Sequence, residues 1–85
     1  MAELSDDLVG LVEAVVTPLI ENKEELSVTA AEPEGEGTVV VEISVNPDDA
    51  GKVIGRQGRV IKAVRTLARA AASTEDVAVE VELID

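Results

Sequence analysis

The chain has no cysteine, no histidine, and no phenylalanine, tyrosine or tryptophan. Lack of cysteine excludes a disulfide framework and a thiolate metal site, and it fits a reducing compartment. Lack of histidine removes the side chain that most often moves protons near neutral pH. With both missing, a catalytic constellation is hard to assemble, so the expectation is a protein that is not an enzyme and needs no metal or cofactor. Lack of aromatic rings removes any platform for stacked bases and leaves Val, Leu, Ile and Ala to build the core. No apolar run approaches the ~18 residues of a membrane span, so no membrane partner is expected. The N-terminal MAELSDDLVG is acidic and lacks the basic start of a signal peptide. The chain therefore reads as cytoplasmic.

Positive charge is scarce as well. Seven Lys and Arg face 18 Asp and Glu, for a net charge of -11. A balance this negative argues against broad, unspecific binding of polyanions. Six of the seven cations nevertheless lie between Lys52 and Arg69: Lys52, Arg56, Arg59, Lys62, Arg65 and Arg69. No acid interrupts that interval. A local basic patch sits in an acidic frame.

At 85 residues the chain is one small domain, residues 1–85. Residues 4 to about 22 read as an amphipathic helix, with Leu4, Leu8, Leu11, Val12, Val15, Val16, Leu19 and Ile20 at helical spacing. Ser5, Asp6 and Asp7 supply a cap and dipole partners near its start. Pro18 predicts a kink with the last turn retained. LSVTAA, Leu26 to Ala31, reads as a short strand, and EPEGEG as an acidic turn. TVVVEISV, Thr38 to Val45, is a strand with Val39, Val41, Ile43 and Val45 on one face. The two make a hairpin. NPDD starts a short helix, with Asn46 as cap, Pro47 in the first turn and Asp48 and Asp49 at the positive dipole end. A longer helix runs from Arg59 to about Ala72. The last strand is Val77 to Ile84, with Val77, Val79, Val81 and Leu83 on the apolar face and Glu80 and Glu82 opposite. The order is α-β-β-α-α-β. It predicts an α+β fold of two layers, with a three-stranded mixed sheet covered on one face by helices. The second and third strands flank the two-helix crossover and should be parallel neighbours with a right-handed connection.

GRQG, Gly55 to Gly58, joins two helices across four residues. Glycine permits positive φ and close approach of another backbone. The N-terminus of the second helix favours an anion, and Arg56 and Arg59 bracket the turn. Along that helix Val60, Ile61, Val64, Leu67, Ala68 and Ala71 fall on one side, and Arg59, Lys62, Arg65 and Arg69 on the other. A basic helix face is ordinarily laced with acids at i,i+4, and this one has none. Spacing alone leaves two readings open, a corner that needs glycine for geometry and a phosphate-binding turn. Other phosphate motifs fit poorly. A P-loop would follow Gly58 with Lys and Ser or Thr, where Arg59 and Val60 stand, and the gaps between Gly51, Gly55 and Gly58 do not match G-x-G-x-x-G. The acids of NPDD are better explained as caps than as a metal or acid–base pair.

VIGRQGRVIKAV resembles the signature of KH domains, V-I-G-x-x-G-x-x-I-x-x-I. Val53, Ile54, Gly55, Gly58, Ile61 and Val64 fill its positions. The element order is similar to the type II arrangement, and the whole chain resembles the small bacterial KhpA type of KH-domain RNA-binding protein. The resemblance implies that Gly55, Arg56, Gln57 and Gly58 clamp the backbone of about four single-stranded nucleotides. It places Gly51, Lys52, Val53 and Ile54 on the entering side, with Arg59 and Lys62 following. It makes Val60, Ile61 and Val64 core or groove-floor aliphatics, and the strand Val39 to Val45 the opposite wall. By the same resemblance the partners are single-stranded RNA and a larger KhpB-type KH-domain protein, with room for a homodimer, and the role is that of an RNA chaperone and post-transcriptional regulator. Two departures stand out. The hairpin turn and the chain as a whole are acidic, which implies weak affinity for the domain alone and reliance on a partner or tandem sites. The alternative reading is a protein-interaction or dimerisation module with a vestigial nucleic-acid surface.

Overall fold

The core is organised by one strand. In the computed structural model, which describes residues 2–32 and 37–84, Val39, Val41 and Ile43 of β2 (Thr38–Ser44) are wholly buried. Valine and isoleucine suit this position because branching at Cβ favours extended backbone and fills a pleated surface. β2 is the central strand. It pairs antiparallel with β1 (Ser27–Ala31) and parallel with β3 (Ala78–Ile84). Register places Val28 and Ala30 beside Ile43 and Val41, and Val79, Val81 and Leu83 beside Val39, Val41 and Ile43. One face of the sheet is therefore apolar throughout. The other carries Glu42, Glu80 and Glu82, with Glu82 directly beside Glu42.

Three α-helices cover the apolar face: α1 (Ala2–Val16), α2 (Ala50–Ile54) and α3 (Arg59–Ala71). Leu8, Val12 and Val16 descend from α1, and Ile20 from the chain just after it, into the same core as Val53, Val64, Ala68 and Ala72. The expected α+β order and mixed sheet are present. The acidic hairpin turn falls mostly on residues 33–36, outside the described residues.

Three local expectations are corrected. The first helix does not continue through Pro18 with a kink. It ends at Val16, and Thr17–Leu19 form a 3-10 turn with Pro18 in its first turn, where a missing N–H costs nothing. Ser5 is not a cap, because the helix begins at Ala2. It is buried, and its hydroxyl donates to Glu32 Oε2 at 2.7 Å, tying α1 to the end of β1. Leu67 is not a core residue of α3. It is 46% exposed, and Ala71 is exposed too. The buried seam is Val64, Ala68 and Ala72, flanked by half-buried Ile61. At ~100° per residue this stripe is centred about 45° away from Val64 on the side of Ile61, which leaves Leu67 at its margin.

Candidate functional site

The site begins with a cap. Asn46 Oδ1 accepts the Asp48 N–H at 2.8 Å, and Pro47–Asp49 form a 3-10 turn leading into α2. This much the NPDD stretch announces. Asp49 does something else. It is wholly buried, and its carboxylate faces away from its own helix, onto the chain just after α1. Oδ1 accepts from the Glu21 N–H at 3.1 Å, and Oδ2 from the Asn22 N–H at 3.0 Å and Asn22 Nδ2 at 3.1 Å. α2 is only five residues long and buries Val53 alone. Asp49 and Val53, four apart on one stripe, are the two pins that fix it. That spacing is the signal a sequence reading could have used: an acid in register with an inward valine must find donors.

The Glu21 amide, then the amide and side chain of Asn22, and lastly Lys52, hold the Asp49 carboxyl at about 2, below its ordinary 3.8, against an opposing push from burial. The folded pKa is the lower one. The stabilisation is thus complete above about pH 4 and is lost as pH falls toward about 2. In urea melts between pH 5 and pH 2, Asp49→Asn should be clearly less stable than the native chain at pH 5, and the gap should close across that window. A gap unchanged with pH would remove the charge from this role.

α2 ends at Gly55, with φ +77° and ψ 172°. The next three residues form a 3-10 turn, in which the Gly58 N–H donates to the Gly55 carbonyl at 3.1 Å and the Arg59 N–H to that of Arg56. Gln57 and Gly58 both take left-handed backbone, φ +56° and +73°. Three of the four loop residues thus lie at positive φ, and the chain reverses onto α3 within one turn. The turn consumes two of the amides that the sequence offered to an anion, so attraction rests chiefly on side chains. Arg56, Gln57, Arg59 and Lys62 are exposed. No carboxylate pairs with Arg56, Arg59 or Lys62 among the described residues. Arg59 donates to Gln57 Oε1 at 3.2 Å, which stiffens the loop while leaving the charge uncompensated.

The other cations are already engaged. Arg65 donates to the Val81 carbonyl at 3.3 Å, and Arg69 Nε to that of Val79 at 3.2 Å. Both flank the buried seam of α3 on the side of β3, an edge strand, and they occupy main-chain acceptors that a fourth strand could otherwise seek. Lys52 pairs with Glu21 Oε1 at 2.8 Å and approaches Asp49 Oδ1 at 3.5 Å. The Glu21 carboxylate, first by hydrogen bond, raises its pKa. The basic patch seen in sequence therefore divides: Arg56, Arg59 and Lys62 around the loop have no carboxylate partner among the described residues, Arg65 and Arg69 brace the sheet, and Lys52 is held by an acid.

Gly51 is exposed, and a side chain there would meet nothing within 4 Å, so no steric need calls for glycine at this position. Ile54 is 41% exposed beside the loop. Val60 and Ile61 are half-buried, whereas Val64 lies in the core. The expectation that β2 walls the groove is overturned. β2 lies between two strands with its apolar face under the helices, and α3 runs along β3. The strand beside the basic helix is β3. A cavity of about 470 Å³ at the far end of α3 is lined by Glu75 and Glu80 as well as Arg69, so it adds no cationic pocket to the loop.

A family model described as the KhpA/KhpB KH domain matches residues 10–83. The chain is similar to the RNA-binding protein KhpA of Clostridium perfringens, at 45% identity over 74 residues, 87% of this chain and 96% of the relative. It is also similar to proteins of the same name from Aquifex aeolicus, at 48% over 60 residues, 71% of this chain and 73% of the relative, and from Borreliella burgdorferi, at 35% over 77 residues, 91% and 92%. Among solved structures, Aquifex aeolicus Era bound to GDP·AlF4⁻ shares the fold at a TM-score of 0.63 and 22% identity, covering 94% of this chain and 30% of that one. No helix among the described residues is long and apolar enough to cross a membrane.

Proposed function

The chain belongs to the KhpA/KhpB KH-domain family, and from that premise we propose that it binds single-stranded RNA by clamping the phosphate backbone at the GRQG loop. The observation that carries this reading is the set of three exposed cations, Arg56, Arg59 and Lys62, around a loop of positive-φ residues without one carboxylate paired to them among the described residues. Phosphates sit against Arg56 and Arg59. Bases rest on the half-open aliphatics Ile54, Val60 and Ile61, because no ring is available to stack them. Elsewhere the surface repels the polyanion, with Glu42, Glu80 and Glu82 on the outer face of the sheet, so RNA is confined to the loop. The patch is small, and linked sites would raise its hold. This is the physical case for action with a larger KhpB-type KH protein or with a second copy, as an RNA chaperone in the cytoplasm.

The test is fluorescence anisotropy with a short single-stranded RNA across a salt series. Binding is expected with a shallow slope, about -0.7 per phosphate contacted, or roughly -2 for three contacts, and a duplex of the same sequence should bind more weakly. Equal binding of duplex and single strand, or a slope near zero, would remove the clamp.

A further inference from the structure

Lys52 is the cation nearest in sequence before the loop, one helical turn ahead of Gly55, and it is the only described cation whose partner is an exposed acid. The two carboxylates that touch it differ in kind. Asp49 is satisfied without it, by three donors at 3.0 to 3.1 Å, and Lys52 Nζ stands off at 3.5 Å. Glu21 makes the short contact, 2.8 Å, from a side chain that is 80% exposed, while that of Lys52 is 43% exposed. Release of Lys52 would leave no buried group unpaired. It would only free a solvated carboxylate. The Glu21 backbone is fixed by its own N–H bond to Asp49, so its carboxylate is held beside Lys52 by the same buried pin that holds α2.

On the reading that RNA lies along the GRQG loop, we infer that Glu21 is an intramolecular competitor for Lys52 and that Lys52 is a latent phosphate contact. Free of RNA, the ammonium is neutralised by Glu21. A phosphate extending past the loop along α2 must displace Glu21 to water to take the ammonium, so the native complex makes this contact only in part. The exchange of one acceptor oxygen for another costs little because an exposed pair is weak. Glu21 thus lowers affinity and shortens the stretch of backbone that the domain engages.

The experiment uses the full chain, single-stranded RNA and three substitutions. Glu21→Gln should tighten binding about two- to fivefold, the range an exposed pair can hold back, and steepen the salt slope by up to about 0.7, as one phosphate contact is then made in full. Glu24→Gln removes the same charge from an exposed neighbour and should leave the slope unchanged. Placed in a Lys52→Gln background, Glu21→Gln should no longer steepen it. An equal gain from Glu24→Gln, or a slope that Glu21→Gln does not move, would overturn the inference. Its failure is distinguishable from failure of the clamp itself. If native binding is insensitive to carboxylates introduced at Arg56 and Gln57, the clamp is wrong. If it is sensitive there and Glu21→Gln does nothing, only the competitor role is wrong.

Discussion

Replacing Arg56 and Gln57 together with Asp should cut RNA affinity by roughly 100-fold or more and leave the fold intact. The change makes the loop three charges more negative, two from Arg56→Asp and one from Gln57→Asp. A charge-assisted contact contributes about 1.5–3 kcal/mol, and two carboxylates facing phosphates add repulsion to its loss. Stability should hold because both side chains are exposed. Gln57 has φ +56°, a region that Asp visits more readily than most residues. The urea transition of the double variant should therefore stay within about 0.5 kcal/mol of the native chain. Anisotropy reports the binding and circular dichroism the fold. Retained affinity in a folded variant would sink the clamp assignment and favour the protein-interaction reading. Because the substitution touches no core contact, the two readings separate without ambiguity.

What the sequence made legible was whatever depends on short range. The alternation of Val39, Val41 and Ile43 predicts the buried face of β2 residue by residue, because a strand's period is fixed by its own backbone. Asn46 and Pro47 announced a helix start in the same way. The loop was legible because glycine spacing reflects backbone angles. Most of the departures from the sequence reading involve a partner distant in the chain. Ser5 meets Glu32, Asp49 meets Glu21 and Asn22, and Lys52 meets Glu21 across 31 positions. Arg65 and Arg69 look unpaired in the sequence because no acid lies at helical spacing from them, whereas their acceptors are main-chain carbonyls of β3. Leu67 falls outside the core, which is not legible locally because a helical wheel gives the relative angles of side chains and not the direction of the sheet. The central place of β2 is not legible locally because strand order is a property of the whole sheet. Two of these partners bear on function. A cation counted as free for RNA, Lys52, is held, and an acid counted as a cap, Asp49, positions the helix that carries the loop.

The two loop glycines should prove unequal, and the difference separates fold from binding. Gly55→Ala should destabilise the chain by roughly 3 kcal/mol or more, and Gly58→Ala by about 1 kcal/mol. At Gly55 an added Cβ would stand 2.8 Å from both the Val60 nitrogen and its Cβ, and closer still to its Cγ2. The nitrogen belongs to the first turn of α3 and cannot retreat without unwinding it. The φ and ψ of Gly55, +77° and 172°, also lie in a region that is essentially reserved for glycine. Sterics and backbone strain therefore add. At Gly58 the nearest atom to a new Cβ is Lys62 Cε at 3.8 Å, so only the left-handed φ of +73° is charged against alanine. Urea melts of the two variants measure the contrast, and equal losses would show that α2 and α3 do not meet at Val60 as described. In a total stability of about 5–15 kcal/mol the Gly55 loss is large, and RNA binding should fall with it because the loop opens. Gly58→Ala should stay folded, and any affinity it loses then measures loop geometry alone. The first glycine of the motif is there for the approach of two helices and the last for the turn of the chain. The residues between them, Arg56 and Gln57, bear no packing duty and are free to be chosen for the phosphate.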